Sequence, residues 1–212
     1  AKGLVVGYVQ SGKTANFTGV IAKALDAGYR LVIVLSGTLN LLRAQTQRRL
    51  DMELIGQENI LRGADLSDLD SLVGIDYIDA EDWPKFVQHG GRPSAQRAFD
   101  IERLTTRDKD YKSLEQGIRA LEFEKRDPTK HLYDPMNLHH AAARVMVVKK
   151  NKAVLTKLVS DLKKIHGILG EIPALIIDDE SDQASVNTSN PAKCTKGATE
   201  RDAINGLSSK LL

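Results

Sequence analysis

The strongest chemical signal in this sequence lies close to its amino terminus. An eight-residue run matches the pattern GxxxxGK[ST] at every fixed position: Gly7-Tyr8-Val9-Gln10-Ser11-Gly12-Lys13-Thr14. An apolar run precedes it and a helix-patterned segment follows it, which is the context that this pattern requires. Glycine lets the backbone curl so that successive N–H groups converge on phosphate oxygens, and the following helix directs the positive end of its dipole at them. The sequence therefore predicts a cradle for nucleotide phosphates.

Six residues of that cradle are candidates for nucleotide binding: Gly7, Gln10, Ser11, Gly12, Lys13 and Thr14. We expect the Lys13 ammonium to reach the β- and γ-phosphates, which makes Lys13 a candidate catalytic residue as well. The Thr14 hydroxyl is a candidate ligand for Mg²⁺.

A second candidate site follows an apolar run near the other end of the sequence. Leu175, Ile176 and Ile177 lead directly into an acidic cluster: Asp178-Asp179-Glu180-Ser181-Asp182. A nucleotide-bound Mg²⁺ needs a carboxylate near the cradle, and a water that attacks a phosphate needs a general base. We assign Asp179 to Mg²⁺ and Glu180, a second candidate catalytic residue, to the water. Asp178 is then the last residue of the strand, packed or capping, and the register stays open by one residue.

These candidate residues need elements that bring them together. Apolar runs at 4–9, 31–35, 144–148 and 173–177 predict short strands that are covered on both faces. Helical periodicity predicts helices over 13–27, 40–54 and 151–168, with Gly28 where the first one stops. This alternation predicts an α/β domain with a mostly parallel sheet, in which ligands bind beyond the carboxyl ends of the strands.

The middle of the sequence interrupts the alternation. Helix-like pieces at 95–104 and 113–126 are separated by Asp-rich loops and by breaks that contain glycine and proline. We interpret 56–142 as an acidic, partly helical insertion in a nucleotide-binding core that comprises 1–55 and 143–212.

Charge follows the same division. Residues 1–50 have seven basic and one acidic residue, and 143–170 have the same counts, so each segment carries +6. Residues 51–142 have twelve basic and nineteen acidic residues, for −7, and 171–212 have four and seven, for −3. The basic segments are either a footprint for nucleic acid or nucleotide phosphates, or solvated helix faces.

Composition limits the class of protein. The chain has 212 residues, of which 42% are apolar, and this suits one ordinary globular domain. No stretch of 18 apolar residues predicts a membrane span, so we expect no membrane partner. The single Cys194 excludes a disulfide framework and agrees with a reducing, cytoplasmic location. Because the sequence starts without Met and inside a predicted strand, we expect it to be a piece of a longer protein, cut at both ends.

The cradle and the tetrad Asp179-Glu180-Ser181-Asp182 together resemble the first RecA-like domain of superfamily two helicases and translocases. Residues 35–45 stand where that superfamily has motif Ia, on the nucleic-acid side. The chain more closely resembles the bacterial Z-one domain family, whose members are described as endonucleases. The likeness lies in the cradle, in an Arg- and Gln-rich helix after the second strand, and in the stretches 147–152 and 176–188.

The resemblance implies a RecA-like P-loop NTPase domain that binds ATP and Mg²⁺. It also implies a helicase- or translocase-like ATPase in bacterial DNA restriction or phage defence, with DNA and defence-system proteins as partners. Arg43, Arg48 and Arg49 are candidate contacts to DNA phosphates, with a solvated helix face as the alternative. The sequence contains neither motif III nor a second RecA-like domain with an arginine finger, which is worth roughly a thousandfold or more in rate. We therefore expect these 212 residues to bind ATP or ADP with Mg²⁺ and to hydrolyse ATP barely.

Other interpretations stay open. The chain could be a P-loop kinase with 56–142 as its lid, or an interaction domain that senses nucleotide without catalysis. A GTPase would need an NKxD element, and residues 151–154 lack its Asp. Residues 122–125 contain the ExK of metal nucleases, but without a strand or an upstream Asp partner, so they do not support nuclease activity.

Overall fold

A single parallel sheet organises the protein. The computed structural model describes residues 3, 13–55, 100–111, 121–165, 167, 170–171 and 173–181. Its strands are β1 (Leu31–Ser36), β2 (Ile101–Arg103), β3 (Ala143–Lys149) and β4 (Ala174–Asp178). They lie in the order β2-β3-β1-β4, and each neighbouring pair is parallel. The predicted α/β fold with a parallel sheet is therefore confirmed, while the strand expected at 4–9 lies outside the described residues.

Helices cover both faces of this sheet. They are α1 (Lys13–Asp26), α2 (Asn40–Leu50), α3 (Pro135–Leu138) and α4 (Lys152–Lys164), and α2 runs on into a π-helical turn, Asp51–Ile55. Alternate residues of β1 point to opposite faces, so Val32 and Val34 pack with α1 while Ile33 and Leu35 pack with α4. Within the described part of the chain, no helix has the length and apolarity that a membrane crossing requires.

Local sequence signals set the ends of these helices. Gly28 has a φ of 100°, and the N–H groups of Gly28 and Tyr29 donate to the carbonyls of Leu25 and Ala24, which closes α1 in a Schellman motif. A side chain at Gly28 would also crowd Leu138, whose Cδ2 would be 3.1 Å from the added Cβ. These contacts confirm the predicted end of the first helix.

A side-chain cap marks the start of α4. The Asn151 side chain accepts a hydrogen bond of 3.0 Å from the Ala153 N–H, so Asn151 is the N-cap of this helix. This is a structural role for the asparagine that stands at the head of the incomplete NKxD pattern.

The middle of the chain differs from the expectation. Residues 101–103, predicted as part of a helix over 95–104, form the edge strand β2, which pairs with β3. Ion pairs from Arg103 to Asp51 and from Glu102 to Arg144 fix the strand, so tertiary contacts override local helix propensity. The helix predicted over 113–126 is also wrong at its described end, because 122–126 contain no helix.

Parts of the segment expected as an insertion contribute to the core. Tyr111 and Leu121 are fully buried with residues of β1, β3 and α4. The Tyr111 hydroxyl donates to the Asp161 carboxylate over 3.1 Å. Burial, reinforced by the charge of Asp161, raises the pKa of Tyr111 far above its usual range, so this phenol stays a hydrogen-bond donor.

A buried polar network connects α2 to β2 and β3. The Gln47 amide donates to Asp51 over 2.9 Å, and the Arg103 guanidinium donates to the other Asp51 oxygen over 2.8 Å. The Thr105 hydroxyl donates to the Gln47 amide oxygen over 2.6 Å and accepts from the Val147 N–H over 2.8 Å. Since the side chains of Arg103 and Asp51 are only 3% and 2% exposed, this network fixes the position of α2 on the sheet.

We predict that Arg103→Met destabilises the protein by about 3–5 kcal/mol, because it removes the Arg103 guanidinium from the buried Asp51 carboxylate. Urea unfolding measures the change. Glu53→Gln is the matched control, since it breaks the exposed Arg49–Glu53 pair, and its cost should be about 0.5 kcal/mol or less. Equal destabilisation by the two variants would contradict this account of the network.

Candidate functional site

A cleft opens at the carboxyl ends of β1 and β4. It has a volume of about 260 Å³, and its described lining residues are Thr14, Ser36, Leu42, Gln45, Thr46, Arg49, Asp179 and Glu180. Thr14 belongs to the first turn of α1, whereas Asp179 and Glu180 follow β4, so the cleft joins parts of the sequence that are far apart. Three residues predicted for the nucleotide site therefore lie together, and Arg49, predicted as a DNA contact, lines the same cleft. Gly7, Gln10, Ser11 and Gly12 lie outside the described residues.

The pleat of β4 separates the two aspartates at its end. Ile177 packs on the face of the sheet that α1 covers, and Ile176 packs on the face that α4 covers. Asp179 continues the first set and Asp178 the second, and the Asp179 N–H keeps the ladder by donating to the Leu35 carbonyl over 2.9 Å. The sequence left this register open by one residue. In the structure, Asp179 rather than Asp178 lines the cleft.

Lys150, the residue after β3, holds this end of β4 in place from the far side of β1. Its side chain is fully buried, and its Nζ lies 2.6 Å from the Asp178 carboxylate. The same ammonium donates to the carbonyl oxygens of Asp179, over 2.6 Å, and Glu180, over 2.8 Å. One buried cation therefore contacts three consecutive residues of the acidic cluster.

Glu180 has a strained backbone. Its φ is 55°, in the left-handed region that residues with a side chain rarely occupy, and no other described non-glycine residue has a positive φ. Such a conformation costs on the order of 1 kcal/mol or more and persists where the surroundings fix it. The bond from Lys150 to the Glu180 carbonyl is one such constraint, and the Glu180 N–H donates to the Asp179 carboxylate over 3.1 Å.

Opposing charges act on the Asp179 carboxyl in the cleft. Burial, reinforced by the Glu180 carboxylate next to it, raises the pKa of Asp179, while hydrogen bonding and the charges of Lys13 and Lys150 oppose the rise. A carboxylate whose anionic form is disfavoured in this way gains from an added positive charge. Thr14, the second residue of α1, lines the same cleft as Asp179, so the first turn of α1 lies near the acidic strand end.

The three arginines of α2 have different surroundings. Arg43 is 3% exposed, and its guanidinium donates to the backbone carbonyls of Thr106, over 2.8 Å, and Arg107. Its expected role as a DNA contact is therefore withdrawn, because its charge is buried and its donors are engaged. Arg48 is half-buried. Arg49 lines the cleft and pairs with Glu53 over 2.7 Å.

Ser36 is a cleft residue that the sequence analysis did not single out. It is the last residue of β1 and is 1% exposed, and none of the residues that the structure describes hydrogen-bonds to its hydroxyl. A buried polar atom without a protein partner calls for a water, an ion or a ligand.

Lys150 was also missed as a site residue. The signal that could have identified both Lys150 and Ser36 is the same one: each is a polar residue that ends or directly follows an apolar strand, at the sheet edge where ligands bind.

Comparison with protein-family models, with curated proteins and with solved structures finds no match to this chain. Among the described residues, no three His, Cys, Asp or Glu side chains are grouped so that they could hold a metal ion by themselves. The ExK pattern at 122–125 has a structural contact, because its lysine, Lys125, forms an ion pair with Glu171 over 2.9 Å.

We predict that Lys150→Met costs about 3–5 kcal/mol, because it leaves Asp178 buried without its counter-charge. Lys150→Met combined with Asp178→Asn should recover part of that loss, as expected for directly coupled residues. Lys149→Met is the control, since the Lys149 ammonium donates to the Asn40 side chain at the surface over 2.7 Å, and it should have little effect. Additive losses from the two single changes, measured by denaturant unfolding, would contradict a direct pair.

Proposed function

We propose that this chain is the ATP-binding lobe of a nucleic-acid-dependent ATPase of the helicase or translocase type, which hydrolyses ATP with Mg²⁺ and serves bacterial DNA restriction or phage defence. One observation carries the proposal. Thr14, from the GKT end of the phosphate pattern, lines the same cleft as Asp179 and Glu180, from the acidic strand end. A phosphate cradle and a carboxylate pair can act on the same Mg²⁺–nucleotide complex only when they lie close together.

The residues present fit a Mg²⁺–nucleotide complex. Mg²⁺ prefers hard oxygen ligands, keeps several waters, and is bound by one or two carboxylates together with substrate phosphates. The Thr14 hydroxyl and the Asp179 carboxylate are such ligands, and a larger protein cage is not required. When bound, the ion would neutralise charge on the phosphate oxygens.

The charged residues Lys13, Glu180 and Lys150 have different roles in this proposal. Lys13, at the positive end of α1, binds the β- and γ-phosphates. Glu180 accepts a proton from the attacking water at a carboxylate oxygen, and its fixed, left-handed backbone determines where that carboxylate can reach. Lys150 takes no part in the chemistry, because its ammonium is engaged beneath the cleft with Asp178 and the two carbonyls.

The nucleic-acid part of the proposal has a separate basis. It depends on the resemblance of residues 35–45 to motif Ia and on the basic segments 1–50 and 143–170. The start of α2 follows the carboxyl end of β1, and Leu39 and Leu41 are 62% and 67% exposed there. A surface of this kind beside the cleft is accessible to a partner.

We expect the 212-residue chain to bind fluorescent ATP and ADP in the presence of MgCl₂. Lys13→Ala should weaken both by about tenfold or more, because it removes a charge-assisted contact to phosphate. Glu180→Gln should bind nucleotide normally and abolish whatever slow hydrolysis the chain performs. Lys23→Ala, which removes an exposed lysine near the other end of α1, is the matched control and should change neither property.

A preference for GTP over ATP, or undiminished nucleotide affinity in Lys13→Ala, would contradict the proposal. DNA-stimulated hydrolysis by these 212 residues would contradict the narrower expectation that they turn over ATP barely.

A further inference from the structure

We propose that Arg49 of α2 binds the terminal phosphate of the nucleotide, so that the cleft distinguishes a triphosphate from a diphosphate. The inference rests on the proposed nucleotide site. It reassigns Arg49 from an expected contact with DNA to a contact within the same chain. Four features support it: the geometry of α2, the charge in the cleft, the exposed ion pair of Arg49 and the buried hydroxyl of Ser36.

The first step is the geometry of α2. The residues that it contributes to the cleft are Leu42, Gln45, Thr46 and Arg49. They stand at positions i, i+3, i+4 and i+7, so they share one face of the helix, and three of them are polar. This face lines the same cleft as Thr14 and the acidic strand end. A phosphate held in the cleft by the first turn of α1 would therefore be close to this face of α2.

The second step is charge. The acidic groups in the described lining are Asp179 and Glu180, and the cationic group in that lining is Arg49. A terminal phosphate adds negative charge next to the two carboxylates, where it is repelled unless cations surround it. Lys13 supplies one cation from α1, and Arg49 can supply another from α2. A diphosphate extends less far into the cleft and depends less on that second cation.

The third step is the present partner of Arg49. Its Nε lies 2.7 Å from a Glu53 oxygen, in an i,i+4 pair whose side chains are 46% and 31% exposed. Exposed pairs of this kind are weak. A guanidinium binds phosphate through paired, charge-assisted hydrogen bonds, which are stronger. Arg49 can therefore exchange Glu53 for phosphate, whereas Arg43 is held by two backbone carbonyls in the interior.

The fourth step is independent evidence that this cleft receives a polar ligand. Ser36 belongs to its lining and is almost completely buried, and its hydroxyl has no hydrogen-bond partner within the described ranges. An unsatisfied buried hydroxyl costs free energy that a bound water or phosphate oxygen would recover. Ser36 and Arg49 therefore point to a ligand in the same volume.

The test measures the affinities for ATP and ADP, each with MgCl₂, by calorimetry on the 212-residue chain without DNA. Arg49→Ala should weaken ATP about tenfold while changing ADP by less than about twofold, as the loss of one charge-assisted contact predicts. The ATP affinity of Arg49→Lys should lie between those of Arg49→Ala and the wild type, because lysine keeps the positive charge but lacks the paired N–H donors of a guanidinium. Glu53→Gln removes the competing carboxylate, so ATP affinity should be maintained or increased.

Arg48→Ala is the matched control, because it removes the same charge one residue away, outside the cleft lining; thermal melting checks that each variant is folded. Unchanged ATP affinity in Arg49→Ala would overturn the inference, and so would an equal loss for ATP and ADP. An Arg49→Ala variant that binds both nucleotides normally but binds DNA more weakly would also overturn the inference, and it would support the expected contact of Arg49 with DNA. If the wild-type protein binds neither nucleotide, the proposed function itself is overturned. If the wild type and Arg49→Ala bind both nucleotides equally well, only the role of Arg49 is overturned.

Discussion

The ion pair between Lys150 and Asp178 is the interaction on which the cleft depends. Burying a lysine and an aspartate is costly, and it is tolerated only when the geometry is close and the remaining donors find acceptors. Lys150 meets both conditions, with a carboxylate at 2.6 Å and two carbonyl oxygens within 2.8 Å. Because these three acceptors belong to consecutive residues, the lysine fixes the path of the chain where it leaves β4. The neighbouring Asp179 is thereby directed to the other face of the sheet.

The second wall of the cleft has its own support, which lies in the middle of the chain. α2 is anchored through Gln47 and Asp51 to Arg103 and Thr105, and Thr105 in turn binds β3. The edge strand β2 is thus part of the structure that positions Arg49, although the charge and composition of its surroundings predicted an insertion. A polar network suits this task better than apolar packing, since directional bonds fix the rotation of a helix as well as its distance.

The sequence was informative wherever local rules decide the structure. Apolar runs located β1, β3 and β4, and the periodicity of α1 and α4 located their helices to within a few residues. The predicted helix over 40–54 is helical throughout, although its residues from 51 onward belong to a π-helical turn, Asp51–Ile55. Gly28 marked a true helix end because the left-handed conformation excludes most other residues.

The sequence was uninformative wherever distant residues decide. β2 is held in place by its pairing with β3 and by two ion pairs. Its own residues carry a helical pattern, so the local sequence predicted a helix there. The burial of Arg43 depends on carbonyls more than sixty positions away, which no local pattern of charge reveals. Within the candidate site, the cradle and carboxylate patterns identified Thr14, Asp179 and Glu180. They could not identify Lys150 or Ser36, because the sheet order that brings the ends of β1, β3 and β4 together is set by distant parts of the chain.

The left-handed backbone at Glu180 has a further consequence for how this protein balances stability against chemistry. Glycine would occupy that conformation without penalty, so the backbone at 180 would be more stable with no side chain at all. A carboxylate stands there instead, at the opening of the cleft. Selection for stability alone would drive the position toward glycine, and a stabilised descendant of this chain would be the one that had lost its candidate base.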